Sequence, residues 1–589
     1  MKARAVLGIS LVVLPLLACR PGARKDNKGE LMSIENLAET YWQDRLDDDP
    51  IESTHVGDRR RDARVPDPRP ESIARQEARL RGRKAQLVAV QPDGLSHSDR
   101  VNRAQLLFEI EKDLATIDCG MSQWSVDPNN GPQSALLSLG ELQTVSDPAS
   151  GAALVARWEK LGEYLDANTA NLRRSLAQGK VAPRAAVSRV LRQLDTLLAT
   201  PAADWPLAQP ARTVHADWPE GVAQAFSAQV DRAVADKILP AWRRLADFLR
   251  DELLPVARDD AHAGLAHIPG GEACYKQMIL VHTSMALEAT EIHRYGLEEI
   301  ARIDAEIATL GEKLFGTRSL TEIRAALFRP EGMFKTREQI EETAKNALAR
   351  ASAVLPKMLG KLPKTPCEVK RLQPFEEQDA PIAYYRQPSD DGSRPGAYHV
   401  NTFAPETRPR FEAEVLAFHE SVPGHHVQIA IAQEMTGVPA FRRHTGVNAY
   451  VEGWALYTER LAQEWGLYSD DLSRLGMLSF DAWRASRLVV DTGLHALGWT
   501  RQAAIDFLSQ HTLLADNNIA NEVDRYIVWP GQALAYKIGQ REMLSLRALA
   551  ESKLGARFDQ RTFHDAILDQ GALSLGVLRA EIERWLERH

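Results

Sequence analysis

The sequence predicts a mainly α protein of two intimately packed helical lobes, with a small β-hairpin or sheet close to a histidine-rich motif. Three observations lead there. Apolar residues recur at three- and four-residue steps, as in Leu297, Ile300, Ile303, Ile307 and Leu310, the period that lays an apolar stripe along a helix. The 589 residues, 44% hydrophobic and 26% charged, exceed what a single core usually serves. Between 365 and 404 the texture changes, and Ala383–Arg386, a turn through Pro388 to Gly396, and Tyr398–Phe403 read as a hairpin.

Taken in order, the chain begins with a short basic region, Met1-Lys2-Ala3-Arg4. An apolar run, Ala5–Ala18, follows and is shorter than a membrane span needs; Leu16-Leu17-Ala18-Cys19 has the form of a bacterial lipobox. Residues 1–18 are read as a lipoprotein signal peptide, and 19–33 as lipidated Cys19 with a flexible tether. The expected location is the bacterial cell envelope, anchored through the N-terminal lipid. In a cell with two membranes it is the outer one, because Arg20 gives no Asp-type retention signal. Residues 34–589 form the helical region, with amphipathic stretches at 150–198 and 220–255. Pro-rich breaks at Val65–Pro70, Asp127–Pro132 and Pro201–Pro219 separate helices without marking an independent domain. A net charge of -8, with both signs interspersed and no basic stripe, gives nucleic-acid binding no support. Cys119, Cys274 and Cys367 are too few for a disulfide framework or a cysteine metal site, although one pair can bridge in an oxidising envelope.

The chemistry concentrates in His419-Glu420-Ser421-Val422-Pro423-Gly424-His425-His426, followed by Glu452. A water-activating zinc site needs three protein ligands, an open position and a carboxylate base, and this stretch offers those residue types in a workable order, with Glu420 as the base. The spacing is expanded. In H-E-x-x-H the second histidine lies four residues on, where this chain has Pro423. On an unbroken helix His425 would sit about 240° around from His419 and His426 about 10.5 Å along the axis, so neither fits a simple helix. Pro423 removes a backbone donor and Gly424 permits an irregular turn, so a bulge here can shorten the distance and leaves His425 and His426 both open as ligands. A lone His-Glu pair arises about once by chance among sixteen histidines; the Pro-Gly break, two further histidines and the later glutamate together set this one apart.

With the segments Glu452–Tyr457, Arg487–His495 and Arg525–Ala533, the motif resembles the bacterial family designated domain of unknown function 885, over most of the chain. That family is similar to gluzincin metallopeptidases, which include thermostable carboxypeptidases, oligopeptidases and angiotensin-converting enzyme and hold zinc with two histidines and a downstream glutamate. The resemblance implies a two-lobed helical metallopeptidase-like fold around a deep cleft. It makes His419 the first ligand, Glu420 the general base and Glu452 the third ligand. Aligning Gly-His favours His425 as the second ligand, whereas aligning His-Val-Gln favours His426. Arg525-Tyr526 resembles an Arg-Tyr pair whose tyrosine stabilises the tetrahedral intermediate, so Tyr526 becomes the oxyanion donor.

The expected function is therefore a Zn2+-dependent hydrolase acting on short peptides as a carboxypeptidase, dipeptidase or oligopeptidase. A zinc amidase or esterase on non-peptide substrates and a non-catalytic envelope binding protein are the alternatives. A peptide terminus needs a cationic anchor, for which Arg487, Arg525 and Lys537 are candidates. The hairpin edge adds Tyr398 as a substrate contact, and His399 reads as a packed or solvated histidine with a substrate contact as its alternative. His495 reads as a core histidine, with an oxyanion donor as its alternative.

Overall fold

The computed structural model describes residues 33–589 apart from 216, 374–376, 378–380 and 390–393. The signal peptide, Cys19 and the tether through residue 32 lie outside the described residues. Helices dominate, as their periodicity requires. The N-terminal part carries α1 (Ile34–Asp48), α2 (Pro70–Ala89), α3 (His97–Cys119), α4 (Pro148–Ala177), α5 (Arg184–Ala199), α6 (Glu220–Ala233) and α7 (Leu239–Phe248). Their starts are chemically marked: Ser33 caps α1 by accepting from Asn36 N–H, and Asp147 forms a capping box with Ser150 ahead of α4.

Residues 126–257 enclose a core of their own, in which Trp158, Trp205 and Trp242 have no exposed surface. Such side chains stabilise the fold by about 1.5–3 kcal/mol each when fully buried. The larger core belongs to α8 (Gly271–Thr283), α9 (Ala289–Phe315), α10 (Arg337–Met358) and the helices after them. A Cys119–Cys274 disulfide ties α3 to α8, and Cys367 is a free thiol.

Three strands follow α10: β1 (Cys367–Arg371), β2 (Ala383–Arg386) and β3 (Gly396–Val400), in the order β1-β3-β2. The expected hairpin is the antiparallel β2–β3 pair, with Tyr385 opposite Tyr398. Strand β1 joins β3 in parallel, placing Cys367 opposite Gly396. The sheet leads directly into α11 (Ala413–Glu420) and α12 (His425–Gln433), which are followed by α13 (Asn448–Glu464), α14 (Asp471–His495), α15 (Asp516–Val528) and α16 (Ala535–Leu554).

Helices α13 and α16 cross backbone to backbone. A Cβ on Gly453 would lie 2.5 Å from the Cα of Gly539, and a Cβ on Gly539 would lie 1.8 Å from the Ala449 carbonyl oxygen. Only glycine permits this approach. It brings Glu452, beside Gly453, close to Tyr536, one turn before Gly539. Among the described residues no helix is long and apolar enough to cross a membrane.

Candidate metal centre

The break between α11 and α12 is the local event that builds the site. Helix α11 stops at Glu420, Ser421 and Gly424 take non-helical angles, and Gly424 N–H reaches back to the Phe418 carbonyl at 3.0 Å. The Val422–Pro423 peptide is cis. A side chain on Gly424 cannot exist, since its Cβ would sit 1.9 Å from the His419 carbonyl oxygen. Trp454 of α13 donates its indole N–H to the Pro423 carbonyl at 3.0 Å and holds the loop in place.

This loop absorbs the two additional residues and restores a paired-histidine arrangement. The His419 and His425 rings lie edge to face, 4.7 Å apart. Each of His419, Glu420 and His425 offers a ligand atom within 4.8 Å of the others. Glu452 completes the cluster: its Oε2 is 3.6 Å from His419 Nε2 and 3.5 Å from His425 Nε2.

Those distances are long for hydrogen bonds, and Glu452 Oε2 and His425 Nδ1 are buried without hydrogen-bond partners. They match something else. Ligand atoms held about 2.1 Å from a tetrahedral zinc lie about 3.4 Å from one another. Glu452 therefore sits at zinc-ligand spacing from both histidines, and the three side chains fit a zinc ion by donor chemistry. Burial alone would lower the His419 pKa, but the Glu452 and Glu459 carboxylates outweigh it and raise it to about 9. Glu452 is held well below the usual carboxylate range: burial works against this, but His419 and His425 prevail.

Glu459 was missed by sequence reasoning. Fully buried, it accepts from His419 Nδ1–H at 2.7 Å, which points Nε2 at the cluster. A signal was available, because Glu452 and Glu459 are seven residues apart on one helix, two turns along the same face. Glu420 is oriented from the other side, its Oε2 accepting the Tyr385 backbone N–H of β2 at 3.1 Å.

Both ring nitrogens of His426 have other partners. Burial lowers its pKa to about 4, so it is neutral; Nε2–H donates to the Thr365 carbonyl at 3.0 Å and Nδ1 accepts from the Tyr385 hydroxyl at 2.9 Å. No ring nitrogen is left for a metal. The Tyr526 hydroxyl, expected as the oxyanion donor, is engaged as well. A phenol has one donor and two acceptor positions; Tyr526 donates to Glu522 at 2.8 Å and accepts from Trp483 Nε1 and Arg487 Nε at 2.9 and 3.0 Å. Its hydroxyl is fully used.

Two of the expected substrate anchors are likewise engaged. Lys537 is buried in ion pairs with Asp481 and Glu299, at 2.6 and 2.9 Å. Arg525 pairs with Glu522 and donates to Gln532. Arg487 bonds Tyr526 and Glu522 but keeps Nη1 unpaired. Tyr398 is buried on β3 in the field of Glu420, and burial pushes its pKa upward first. His399 stacks on Tyr384, 4.9 Å between ring centroids. His495 is a core histidine: its Nε2–H donates to the Tyr526 carbonyl, its Nδ1 accepts from Leu265 N–H, and burial lowers its pKa to about 3.

A cavity of about 800 Å³ is lined among others by Gln428 of α12, Val451 of α13 and Gln387 after β2, while His419, Glu420, His425 and Glu452 are not part of its lining. Gln428 is one turn beyond His425 on the same helix face, and Val451 directly precedes Glu452. Its lining also includes Glu52 and His55 of the N-terminal part and the exposed Arg443.

Comparison with known proteins adds a family and a fold. No curated protein matches the sequence. A candidate lipoprotein from Colwellia psychrerythraea has a crystal structure similar to this one, with 26% identity and a TM-score of 0.86 over 94% of this chain and 99% of that one. A candidate lipoprotein of unknown function from Shewanella oneidensis is similar at 17% identity and a TM-score of 0.74, covering 93% and 99%. Residues 50–582 match the family described as bacterial protein of unknown function, DUF885, and the chain belongs to that family.

Proposed function

We propose that the protein is a zinc-dependent hydrolase of the bacterial cell envelope that cleaves short peptides. The observation that carries this reading is Glu452 Oε2 at ligand spacing from both His419 Nε2 and His425 Nε2, with Glu420 clustered with the two histidines. When bound there, zinc supplies a Lewis acid that polarises a carbonyl and acidifies water.

The protein's own groups do the rest. Glu420, oriented by the Tyr385 N–H, accepts the proton of the attacking water and returns it to the leaving amine. Glu459 keeps His419 in the tautomer whose Nε2 lone pair faces the cluster. The phenol assigned to a developing oxyanion is Tyr536, half-buried, within the field of Glu452, hydrogen-bonded to Gln532 and with the Arg487 guanidinium 4.4 Å from its ring centroid. Substrate enters through the 800 Å³ cavity between the N-terminal part and α12, which serves as the cleft between two lobes. Strand β2, at the sheet edge, leads from Glu420 to that cavity and offers backbone pairing to an extended peptide. This reading agrees with the likeness to gluzincin peptidases. Lipid attachment at Cys19 is in keeping with the lipoprotein character of the similar structures.

The reading is tested by loading the purified protein with zinc, measuring metal per chain, and following a mixed-sequence peptide library by mass spectrometry. Hydrolysis of peptides with one zinc per chain is expected. Zinc binding without hydrolysis would favour an envelope binding protein.

A further inference from the structure

Helix α14 carries two buried arginines one turn apart, and the catalytic reading uses neither as a metal ligand or base. Arg484 is 4% exposed and Arg487 2%. Nε and Nη1 of Arg484, and Nη1 of Arg487, are buried with no hydrogen-bond partner. Aromatic rings frame both groups: the Arg484 guanidinium carbon is 4.2 Å from the Trp483 ring centroid and 4.5 Å from that of Phe480, and the Arg487 carbon lies 4.3 and 4.4 Å from those of Trp483 and Tyr536.

Leaving buried N–H donors of a cation unpaired costs more than leaving neutral ones, so an arrangement of this kind calls for an anion. The local carboxylates do not supply it. Glu522 is shared by Arg487 and Arg525. Glu459 and Glu452 act on the Arg484 charge from a distance, but the first holds His419 and the second belongs to the metal cluster. Glu412 also lies within the Arg484 field, and its burial pushes its pKa up to about 7, which makes it a poor counter-charge at neutrality. The pair therefore has donors in excess, with Glu452 of the cluster within the Arg484 field. Planar guanidinium groups on aromatic faces suit a carboxylate, which can accept from both.

We propose that Arg484, together with the free Nη1 of Arg487, receives the C-terminal carboxylate of the peptide substrate, making the site one for cleavage near a free C-terminus. This rests on the peptidase reading for the identity of the ligand. The anion site itself can be tested separately.

The test uses full-length Glu420→Gln protein, silenced for turnover, with and without zinc. It is equilibrated with N-acetylated tetrapeptides of mixed sequence lacking Asp and Glu, prepared once as free acids and once as C-terminal amides, and retained peptide is quantified by mass spectrometry. Retention of acids over amides by at least about tenfold is expected, the scale of one charge-assisted contact. Adding Arg484→Gln should bring the ratio near one while zinc content stays unchanged. If that variant fails to fold, Arg484→Lys carries the test, since it keeps the charge but loses the planar donors and should lower the ratio several-fold. Equal retention of the two pools, retention of neither, or an acid preference that survives both substitutions overturns the assignment. Amides bearing one internal Asp or Glu that are retained like the free acids overturn the terminal assignment. A wild-type protein that binds no zinc or hydrolyses no peptide defeats the peptidase reading, while the ratio measured on zinc-free protein still decides the anion site.

Discussion

Replacing Glu459 by alanine isolates a contact that touches no proposed substrate and no metal. The carboxylate is fully buried and accepts the His419 Nδ1–H at 2.7 Å, so its removal leaves a buried imidazole donor without a partner and frees the ring to turn. A hydrogen bond to a charged group contributes about 1.5–3 kcal/mol. At about 1.4 kcal/mol per decade this becomes a loss of roughly ten- to a hundredfold in zinc affinity, the range found for carboxylates behind metal-bound histidines. Glu459→Gln keeps an acceptor but loses the charge, and should fall between wild type and alanine. Competition of each variant against a chromophoric zinc chelator gives the dissociation constants, and circular dichroism shows whether the fold is kept. A folded Glu459→Ala protein that binds zinc as tightly as wild type would refute the assignment of Glu459 as the residue that orients His419.

Other expectations follow from the same geometry. His425→Ala should abolish stoichiometric zinc binding, whereas His426→Ala should keep zinc and lose about 1–3 kcal/mol of stability in denaturant melts, because it empties the contacts to Thr365 and Tyr385. The His419 pKa is raised above 6.5 to about 9 in the metal-free protein. The stability this contributes is fully present below about pH 6.5 and is lost as pH rises through about 9. Zinc must displace that proton, so its affinity measured by chelator competition should strengthen about tenfold per pH unit up to about pH 9 and then level off. Tyr536→Phe should lower kcat by about a hundred- to a thousandfold with zinc retained, while Tyr526→Phe should act on stability. Steady-state kinetics and melting of the two variants distinguish these roles, and the reverse pattern would restore Tyr526 as the donor.

Much of the architecture was legible in period and punctuation. The three- and four-residue apolar steps predicted the long helix that became α9, whose Ile300, Ile303 and Ile307 are buried. The alternation and turn residues from 383 to 403 predicted β2 paired with β3. Strand β1 was not seen, because a parallel partner carries no turn signal linking it to β3. At the site, ligand type and order drew attention to His419, Glu420 and Glu452, but the choice between His425 and His426 depended on a loop whose path no helical period describes. The hydrogen bonds of His426 to Tyr385 and Thr365, residues about 40 and 60 positions earlier in the chain, favour His425. Tyr526 shows a related limit: a two-residue likeness indicated a phenol, and three partners from α14 and α15 occupy it.

The proposal of one zinc held by His419, His425 and Glu452, with Glu420 as base, is tested most directly by metal content and peptide-library turnover measured side by side for wild type and Glu420→Gln. One zinc per chain is expected in both proteins and hydrolysis by wild type alone, with the variant slower by several orders of magnitude. Absence of bound zinc in wild type, or equal turnover by the two proteins, would contradict it.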